Sequence, residues 1–354
     1  MKFLFITATP LNPIQGSGTY VGIATLKSAL EKLGHLVEVL APDFWCPNYV
    51  LKRYLFNQQV PRRVRSMESF DIVVGFDCDG YRLKTSAPYI ASIKGVLADE
   101  AKQEKGIIRC LLRLQAKWEM KNVKKADIVV ATSQYCRKMI QEAYRIHSGK
   151  IRVVPELIDL EEWGELLAEA ADRQDKKGVI VLTVCRMYPR KNLGLLLRAW
   201  KKIKEKEPAA RLRIVGTGQE HRRWLALAKD LQLGESVIFL GNRTRKELAE
   251  EYKNCDIFCL PSRQEGFGIV FLEAMVAGKP IVAAWAAAVP EVVRERKEGL
   301  LISPDVPKAL EDALLRLIRD PALRLQMGES AQTYVNQYDS TQVVSQFLGL
   351  LESN

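Results

Sequence analysis

The stretch Glu265-Gly-Phe-Gly-Ile-Val-Phe-Leu-Glu273 places two carboxylates eight residues apart, on either side of two glycines and an apolar run. The residues from Ile269 to Gly278 predict a buried helix that opens at Gly268. The first turn of a helix offers backbone N–H groups and the positive end of the helix dipole, and both suit a phosphate. A carboxylate at Glu273, about a turn and a half into a buried helix, needs a bound partner. The stretch therefore predicts a nucleoside diphosphate site with carboxylates for hydroxyl groups, which together describe a sugar nucleotide.

The bulk composition is that of a globular protein of two domains. The 354 residues are 47% hydrophobic, which is enough for two separate cores. No apolar run reaches about 18 residues, so we expect no transmembrane helix. The opening residues Met1–Thr7 predict a β-strand rather than a signal peptide. The net charge of +11 favours anionic partners in general, namely phosphorylated ligands, anionic lipids or nucleic acid.

The seven cysteines follow no disulfide or zinc spacing. Cys255 and Cys259 are the closest pair, and no histidine or second cysteine pair stands nearby to complete a zinc site. We therefore expect reduced, buried thiols in a cytoplasmic protein.

Strand and helix candidates alternate along the chain, which predicts parallel sheets with helices on both faces. The predicted strands of the first half are Phe3–Ile6, Val37–Leu40, Ile72–Gly75, Tyr89–Ile93, Ile128–Ala131 and Ile151–Val154. Those of the second half are Val179–Val184, Leu212–Val215, Val237–Leu240, Ile257–Leu260, Ile281–Ala283 and Leu300–Ile302. The main predicted helices are Tyr20–Leu33, Ile107–Lys125 and Gln134–Tyr144, and the tail from Asp320 predicts two more.

The segment Leu160–Gly178 is charged, rich in alanine and without a strand candidate, so it predicts the boundary between domains. We predict a Rossmann-like domain at residues 1–160, a second at 161–335, and a helix at 336–354 that packs back on the first domain. In two doubly wound domains the carboxyl ends of both sheets face a central crevice, and ligands bind outside those ends. The candidate residues follow predicted strands: Gly16, Gly18, Arg186, Lys191, Gly216, Gly218 and Glu265.

The order and spacing of these motifs resemble those of the retaining glycosyltransferases of family 4, which have the GT-B fold. The resemblance covers nearly all of the chain, and Glu265–Pro280 is its most specific part. The other matching segments are Gln15–Tyr20, Lys32–Val39, Arg186–Asn192, Ile214–Gly218 and Pro261–Ser262.

The resemblance implies a role for each matching position. Arg186 and Lys191 would hold the donor diphosphate, and Glu273 would bind the ribose hydroxyls. Glu265 would hold the donor hexose, together with the backbone of Gly266, Phe267, Gly268, Ile269 and Val270; Gly16, Gly18 and Gly216 would also line the donor site. Negative charge builds on the leaving phosphate, so fixed cations there act mainly on the transition state. We expect Arg186, Lys191 and Glu265 to be catalytic, with no metal and no cofactor beyond the nucleoside-diphosphate sugar.

Three positions depart from the family pattern. Lys94 stands where the family often has a histidine, and Ala287-Ala288 replace the usual glycine pair before Pro290. Glu156-Leu157 replace the usual Asn-Gly after the strand between the domains. Lys94, Ala287 and Ala288 are therefore candidate contacts to the acceptor or the sugar, and these departures bear on the sugar's identity more than on the fold.

Two basic segments of the first half are candidates for docking. Ile107–Lys125 places basic residues at four-residue spacing on one helix face, with an apolar stripe opposite. The basic residues are Arg109, Arg113, Lys117 and Lys121, and the stripe is Ile107, Leu111, Leu114 and Trp118. Tyr49–Arg65 adds Lys52, Arg53, Arg62, Arg63 and Arg65 among Tyr54, Leu55 and Phe56. The basic face formed by these two segments is either a solvated surface or a docking site. The docked partner would be an anionic acceptor or the cytoplasmic surface of a membrane, to which the protein would bind peripherally.

Asp77-Cys-Asp79 is similar to the metal-binding acid pair of the other glycosyltransferase fold, but its place after a strand favours a turn.

The leading interpretation is a retaining hexosyltransferase that uses a nucleoside-diphosphate sugar, with a UDP-sugar first and GDP-mannose second. The acceptor would be the hydroxyl of a sugar, a lipid-linked compound or another molecule, as in the synthesis of glycolipids or surface polysaccharides. The alternatives are another GT-B enzyme, such as an epimerase or a phosphorylase, and a sugar-nucleotide-binding protein without catalysis. A nucleic-acid partner is not expected, because no recognised binding motif accompanies the charge.

Overall fold

A computed structural model of the chain describes residues 1–11, 13–173 and 178–352. The chain divides into two compact units. The first unit comprises Met1–Leu157 with Ser340–Asn354, and the second comprises Ile158–Asp339. The predicted boundaries, after residues 160 and 335, lie three and four residues from these.

Each unit is built on a six-stranded parallel sheet. The strands of the first unit lie in the order β2-β1-β3-β4-β5-β6, and those of the second in the order β12-β11-β10-β7-β8-β9. The first six strands are β1 (Lys2–Ile6), β2 (Leu36–Leu40), β3 (Ile72–Phe76), β4 (Tyr89–Ile93), β5 (Ile128–Ala131) and β6 (Ile151–Val153). The other six are β7 (Ile180–Val184), β8 (Arg211–Val215), β9 (Val237–Gly241), β10 (Ile257–Leu260), β11 (Ile281–Ala284) and β12 (Gly299–Ile302).

Fourteen α-helices cover these sheets in the described residues. Those of the first unit are α1 (Pro13–Lys32), α2 (Tyr49–Arg65), α3 (Leu97–Glu100), α4 (Gly106–Lys125), α5 (Gln134–Tyr144) and, from the end of the chain, α14 (Ser340–Glu352). Those of the second unit are α6 (Leu160–Glu169), α7 (Leu193–Lys206), α8 (His221–Asp230), α9 (Arg245–Asn254), α10 (Ile269–Val276), α11 (Val289–Val292), α12 (Pro307–Arg319) and α13 (Pro321–Tyr334).

The predicted doubly wound α/β architecture is confirmed. All twelve predicted strands are present, with each end within one residue of its predicted place. They were predictable because parallel strands are covered on both faces and therefore form short, continuous apolar runs. The tail forms the two predicted helices, and α14 returns to the first unit, where Val343, Val344 and Phe347 join a core that contains Phe3 and Phe5.

The predicted start of the first helix, at Tyr20, is wrong. Helix α1 begins at Pro13 instead of Tyr20, so Gly16 and Gly18 lie in its first turns rather than in a loop. Proline at the start of a helix has the required φ angle and lacks only an N–H that would have no partner within the helix.

Two of the four residues in the predicted apolar stripe of α4 are exposed. Trp118 is buried, but Ile107 is 75% exposed and Leu114 is also exposed. The buried face of α4 instead includes the polar residues Gln115, Glu119 and Asn122. The first half of this helix therefore carries exposed apolar residues beside basic ones.

Two residues of the predicted basic and aromatic surface on α2 are also misplaced. Arg53 is buried, and its guanidinium donates to both carboxylate oxygens of Asp79, at 2.9 and 2.8 Å. Phe56 is fully buried in the core. The turn at Asp77–Asp79 was predicted correctly, and Asp79 serves there as the counterion of a buried arginine.

All seven cysteines are free thiols, and five of them are buried. Cys46 is partly exposed and Cys110 is exposed.

Candidate functional site

Four loops of the second unit follow the carboxyl ends of neighbouring strands. The strand order places β11, β10, β7 and β8 side by side, so their loops meet along one edge of the sheet. The loops are 185–192 after β7, 216–220 after β8, 261–268 after β10 and 285–288 after β11. The structure therefore gathers the predicted residues of the second half at one edge.

Lys191 and Glu265 are in direct contact. The Lys191 Nζ lies 2.6 Å from the Glu265 Oε1, and the two side chains are 12% and 8% exposed. Lys191 ends a 3₁₀ turn, Pro189–Lys191, which Asn192 closes with a left-handed φ of 57°. An ion pair so shielded from water is stronger than a surface pair. The lysine is thus held at the sheet edge by the carboxylate that the resemblance assigns to the donor hexose.

Backbone hydrogen bonds join the loop that carries Arg186 to its neighbours. Met187 donates its N–H to the Thr217 carbonyl at 2.9 Å, and Glu220 donates to the Met187 carbonyl at 3.0 Å. On the other side, Arg263 donates its N–H to the Arg190 carbonyl at 2.8 Å. Arg186 itself is partly buried, just beyond the end of β7. The loop that carries Arg186 and Lys191 is therefore hydrogen-bonded to the loops on both sides of it.

Gly216 and Gly218 have a structural reason to be glycine. Gly216 has a φ of 112°, and a side chain there would clash with the Cys185 carbonyl. A Cβ at Gly218 would lie 2.7 Å from the backbone N and O of Met187. Both glycines let the loops after β7 and β8 pack together. A donor-binding role for Gly216 stays a prediction.

The predicted buried helix at Ile269 is confirmed as α10, and it opens at Gly268. Gly268 has a φ of 94°, and a Cβ there would lie 2.6 Å from the Phe271 ring. The side chain of Ile269 is buried, and Phe267 is buried with its ring edge-to-face on Tyr338 at 5.5 Å. Since these side chains face the core, Gly266, Phe267, Gly268, Ile269 and Val270 can offer a ligand mainly their backbone and the helix dipole.

Glu273 has an internal partner. The Tyr252 hydroxyl donates to its Oε2 at 2.8 Å, and both residues are buried. Burial raises the pKa of Glu273 to about 7, against the opposing effects of the Tyr252 hydrogen bond and the Arg245 charge. The predicted need for a partner is met by Tyr252.

The loop after β11 is strained where the family has glycines. Ala287 adopts a left-handed φ of 51°, a conformation that costs a non-glycine residue about 1–2 kcal/mol. Ala288 is buried and donates its N–H to the Glu265 carbonyl at 3.3 Å. The loop is therefore attached directly to the residue that forms the pair with Lys191.

Three residues of this edge were missed by the sequence interpretation. Trp285 is 59% exposed at the start of the loop after β11, and a tryptophan directly after an apolar strand was the available signal. Ser262 Oγ and Gln264 Oε1 are buried and have no hydrogen-bond partner among the described residues. A buried polar atom without a partner points to a ligand or water. Gln264 gave no signal in the sequence.

The remaining predicted residues lie in the first unit. Gly16 and Gly18 are in α1, and Lys94 is the first residue after β4. Lys94 Nζ lies 2.8 Å from Glu156 Oε2, so two of the three departures from the family pattern contact each other. Within the described ranges, no group of three or more His, Cys, Asp and Glu side chains could hold a metal ion.

Two family models together match most of the chain. Residues 16–162 match glycosyltransferase family 4, and residues 168–334 match the glycosyl transferases group 1. The boundary between the two matches falls beside the boundary between the two structural units.

Curated relatives match about two thirds of the chain or less. A D-inositol 3-phosphate glycosyltransferase of Corynebacterium jeikeium is 32% identical over 234 residues, which are 62% of this chain and 56% of the relative. A GDP-mannose-dependent alpha-(1-6)-phosphatidylinositol monomannoside mannosyltransferase of Mycolicibacterium smegmatis is 29% identical over 214 residues, 57% of this chain and 56% of the relative. The chain thus spans little more than half the length of these curated relatives.

Solved structures of the same architecture match the chain end to end. Sucrose-phosphate synthase from Thermosynechococcus elongatus has a TM-score of 0.83 at 19% identity, covering 99% of this chain and 98% of that one. Anabaena HepE in complex with UDP and glucose has a TM-score of 0.74 at 19% identity, covering 100% of both chains. The family models and the two parallel sheets agree: the chain belongs to the glycosyltransferases of family 4, group 1, and has the GT-B fold.

Proposed function

We propose that the protein is a retaining hexosyltransferase that moves a hexose from a nucleoside-diphosphate sugar to an acceptor hydroxyl without a metal ion. The observation that carries this proposal is the Lys191–Glu265 pair, 2.6 Å apart, on the same sheet edge as Arg186 and the start of α10. The diphosphate of a sugar nucleotide has four non-bridging oxygens that share its negative charge. This sheet edge offers them two cations, Arg186 and Lys191, and the N-terminus of α10.

The chemistry of the pair fits the leaving group. As the bond between the sugar C1 and the phosphate oxygen breaks, negative charge grows on the phosphate. Arg186 and Lys191 therefore stabilise the transition state, in which this charge is larger, more than the ground state. This difference lowers the activation barrier of the transfer. Glu265 holds the Lys191 ammonium in place and can also accept hydrogen bonds from the hexose hydroxyls. No carboxylate is assigned as a nucleophile, which favours attack on the face that the phosphate leaves.

The relatives' names support a choice of donors and acceptors for testing. UDP-sugars come first and GDP-mannose second, because a UDP complex and a GDP-mannose-dependent enzyme are among the similar proteins. Two of the relatives named above act on D-inositol 3-phosphate or a phosphatidylinositol mannoside. We infer a hydroxyl acceptor of this general class, either free or attached to a lipid. The relatives are transferases, so an epimerase or a non-catalytic binder is not favoured.

The test is a panel of donors and acceptors with a thermal-shift screen. UDP, GDP, UDP-glucose, UDP-N-acetylglucosamine and GDP-mannose are screened for binding, since a ligand at one hundred times its Kd stabilises by about 2.7 kcal/mol. Release of UDP or GDP is then measured with D-inositol 3-phosphate, phosphatidylinositol, glucose and mannose as acceptors. Stabilisation by one nucleotide and its sugar, followed by acceptor-dependent release, is the expected result. A chain that binds none of the five nucleotides refutes the proposal.

We also propose that the first unit docks on the anionic cytoplasmic face of a membrane. No helix in the described part of the chain is long and apolar enough to cross a bilayer. Helices α2 and α4 are in contact, with the Tyr54 and Trp118 rings 5.8 Å apart. Together they expose seven large apolar or aromatic side chains: Tyr49, Leu51, Tyr54, Leu55, Ile107, Ile108 and Leu114. These residues are called the apolar patch below.

Basic residues accompany the apolar patch. Arg113, Lys117 and Lys121 are exposed on α4, and Arg62 is exposed on α2. Arg63 and Arg109 contribute less, since they donate to the Ala41 and Glu104 carbonyls. Exposed apolar residues with flanking cations match a bilayer surface, where each cation contributes about 1 kcal/mol.

Vesicle sedimentation tests the docking. The protein should bind phosphatidylcholine vesicles that contain phosphatidylglycerol at about 0.1 M salt and leave them near 1 M, where the Debye length falls from about 10 to 3 Å. At about 0.1 M salt, reversal of Arg113 and Lys117 to glutamate should abolish binding, and Ile107→Ser should weaken it. The matched control reverses Lys201 and Lys229, exposed lysines of the second unit. Equal losses in the control variant would show that net charge alone is responsible, and no binding at low salt would refute the docking.

A further inference from the structure

Lys94 and Glu156 form an ion pair that is almost closed to water at the carboxyl edge of the first sheet. Their Nζ and Oε2 atoms are 2.8 Å apart, and each side chain is 7% exposed. Lys94 follows β4 and Glu156 follows β6, while β5 lies between these strands. Since neighbouring strands are about 4.8 Å apart, the two long side chains reach towards each other across the end of β5.

The surroundings fix both partners. The Lys94 backbone N–H donates to the Asp77 Oδ1 at 2.9 Å, which holds the end of β4 beside the turn after β3. Asp77 has a left-handed φ of 51°. The Glu156 carboxylate lies against Gly22 of α1, where any larger residue would clash with it. The ammonium therefore has a defined position.

Stability alone does not account for this pair. Removing two charges from water costs several kcal/mol per ion, and apolar residues of similar volume are often as stable or more stable. Where a buried ion pair lies at a position that binds ligands, a role of its charged groups in ligand binding explains it better than a contribution to stability. The carboxyl edge of a doubly wound sheet is such a position.

Because Lys94 and Glu156 contact each other, these two departures from the family pattern are best considered together. A lysine where the family often has a histidine adds a positive charge, and a glutamate where it usually has an asparagine adds the balancing negative charge. Loss of function at Lys94 would not require a matching carboxylate 62 residues away in the chain. The contact holds the Lys94 ammonium, in its charged form, at the carboxyl edge of the sheet.

We propose that Glu156 is a positioning residue for Lys94, and that the Lys94 ammonium donates a hydrogen bond to a neutral hydroxyl oxygen of the acceptor. This inference rests on the proposed transferase function and specifies its acceptor. Glu156 takes one of the three ammonium N–H groups, which leaves two for other oxygens. Because Glu156 balances its charge, the pair offers donors without attracting an anion.

The nearby charges agree with a neutral ligand group. Arg53 and Lys94 lie near four carboxylates, those of Asp77, Asp79, Glu100 and Glu156. This excess of carboxylates does not favour a phosphate. The phosphate of an acceptor, if it has one, would lie elsewhere, and the reacting sugar or polyol part would meet Lys94.

The test separates a substrate contact from a purely structural pair. Lys94→Ala, Glu156→Gln and the charge-swapped double variant K94E/E156K are compared with the wild type by thermal unfolding and by steady-state kinetics. Donor and acceptor are the pair from the panel above that the wild type turns over best. The matched control is the swap K27E/E31K, an exposed ion pair on α1 with a 2.7 Å contact.

Lys94→Ala should lower kcat/KM for the acceptor by about 10- to 100-fold, the range for a lost hydrogen bond to a charged group. Its KM for the donor should stay within about threefold. Glu156→Gln should lower acceptor kcat/KM by a smaller factor, and the control swap should change neither quantity. The swapped variant K94E/E156K should recover thermal stability relative to the single variants but not acceptor kinetics, because a carboxylate cannot donate.

Two results overturn the inference. One is recovery of both stability and acceptor kinetics in K94E/E156K, which would make the pair structural only. The other is a Lys94→Ala enzyme within threefold of the wild type for the acceptor. A wild type that transfers no sugar in the whole panel instead refutes the proposed function itself, and the inference with it.

Discussion

Replacing Lys191 with alanine is the most direct perturbation of the proposed donor site. The substitution removes the ammonium that would hold the diphosphate, and it also removes the partner 2.6 Å from Glu265. Glu265 would keep a carboxylate that is 8% exposed and has lost this counterion. The expected fall in kcat/KM therefore has two causes. The transition state loses a positive partner, and the resting enzyme gains an unpaired carboxylate.

The magnitude follows from these two causes. Loss of one donor from a preorganised anion site costs about 2.7–4 kcal/mol in the transition state. The unpaired carboxylate would repel the donor phosphates as well, although water can partly replace the missing ammonium. We expect kcat/KM to fall by about 2–4 kcal/mol, which corresponds to about 30- to 900-fold. Folding should survive, because Lys191 lies in a loop turn at the sheet edge.

Steady-state release of UDP or GDP measures the effect, with thermal unfolding as the check on folding. Lys201→Ala is the matched control, since Lys201 is an exposed lysine of α7 in the same unit. Arg186→Ala should show a loss of the same size. The double variant K191A/E265Q separates the two causes, because glutamine removes the unpaired charge. It should bind free nucleoside diphosphate better than Lys191→Ala does.

Kinetics of Lys191→Ala within a factor of about three of the wild type, or roughly 0.6 kcal/mol, would refute the assignment. A double variant that binds the nucleotide no better than Lys191→Ala would show that Glu265 exerts no repulsion. In that case the loss in Lys191→Ala would come from the missing ammonium alone.

Three further predictions concern the same sheet edge. The raised pKa of Glu273, about 7, means that the folded protein binds a proton more tightly than the unfolded chain, so this stabilisation is present below pH 4.5 and lost as pH rises through 7. Across that window the wild type should lose about 3 kcal/mol of unfolding free energy that Glu273→Gln does not lose, as measured by denaturant titration at several pH values. Ala287→Gly should raise the unfolding free energy or leave it unchanged, because relief of the left-handed strain offsets the added chain entropy; a loss above about 1 kcal/mol would contradict the strain argument. Excess EDTA should leave transfer intact, whereas a loss restored by Mg²⁺ or Mn²⁺ would show that a metal takes part.

The sheets were predictable from the sequence because their signals are local. A buried parallel strand needs four or five apolar residues in a row, and a turn or polar loop on each side. The start of α1 was not predictable in this way, because Gly16 and Gly18 have low helix propensity in any sequence. The packing of Ile23, Leu26 and Leu30 of α1 against the sheet and α14 is a tertiary contact that the sequence does not show.

The site was predictable as a set of residue types at strand ends, but its contacts were not. Glu273 needed a partner, yet nothing in the sequence distinguished Tyr252, 21 residues away, from the other tyrosines. Lys94 and Glu156 looked like two unrelated departures until the structure placed them 2.8 Å apart. Trp285 and Gln264 matter only through exposure and missing partners, which are properties of the folded chain.

The way in which the four loops of the second unit are joined bears on how catalysis would work. Backbone hydrogen bonds link the loop after β7 to the loops after β8 and β10, and Glu265 to the loop after β11. Electrostatic stabilisation is large only when the charged groups need no rearrangement as the reaction proceeds. A lysine held by a buried glutamate on such a frame meets this condition, because both partners are fixed before the donor arrives. The departure at Ala287 acts on the same frame, since its strained turn positions the Ala288 N–H that contacts Glu265. A change of residue type in the loop after β11 can therefore alter the donor site through Glu265 without any contact to the donor.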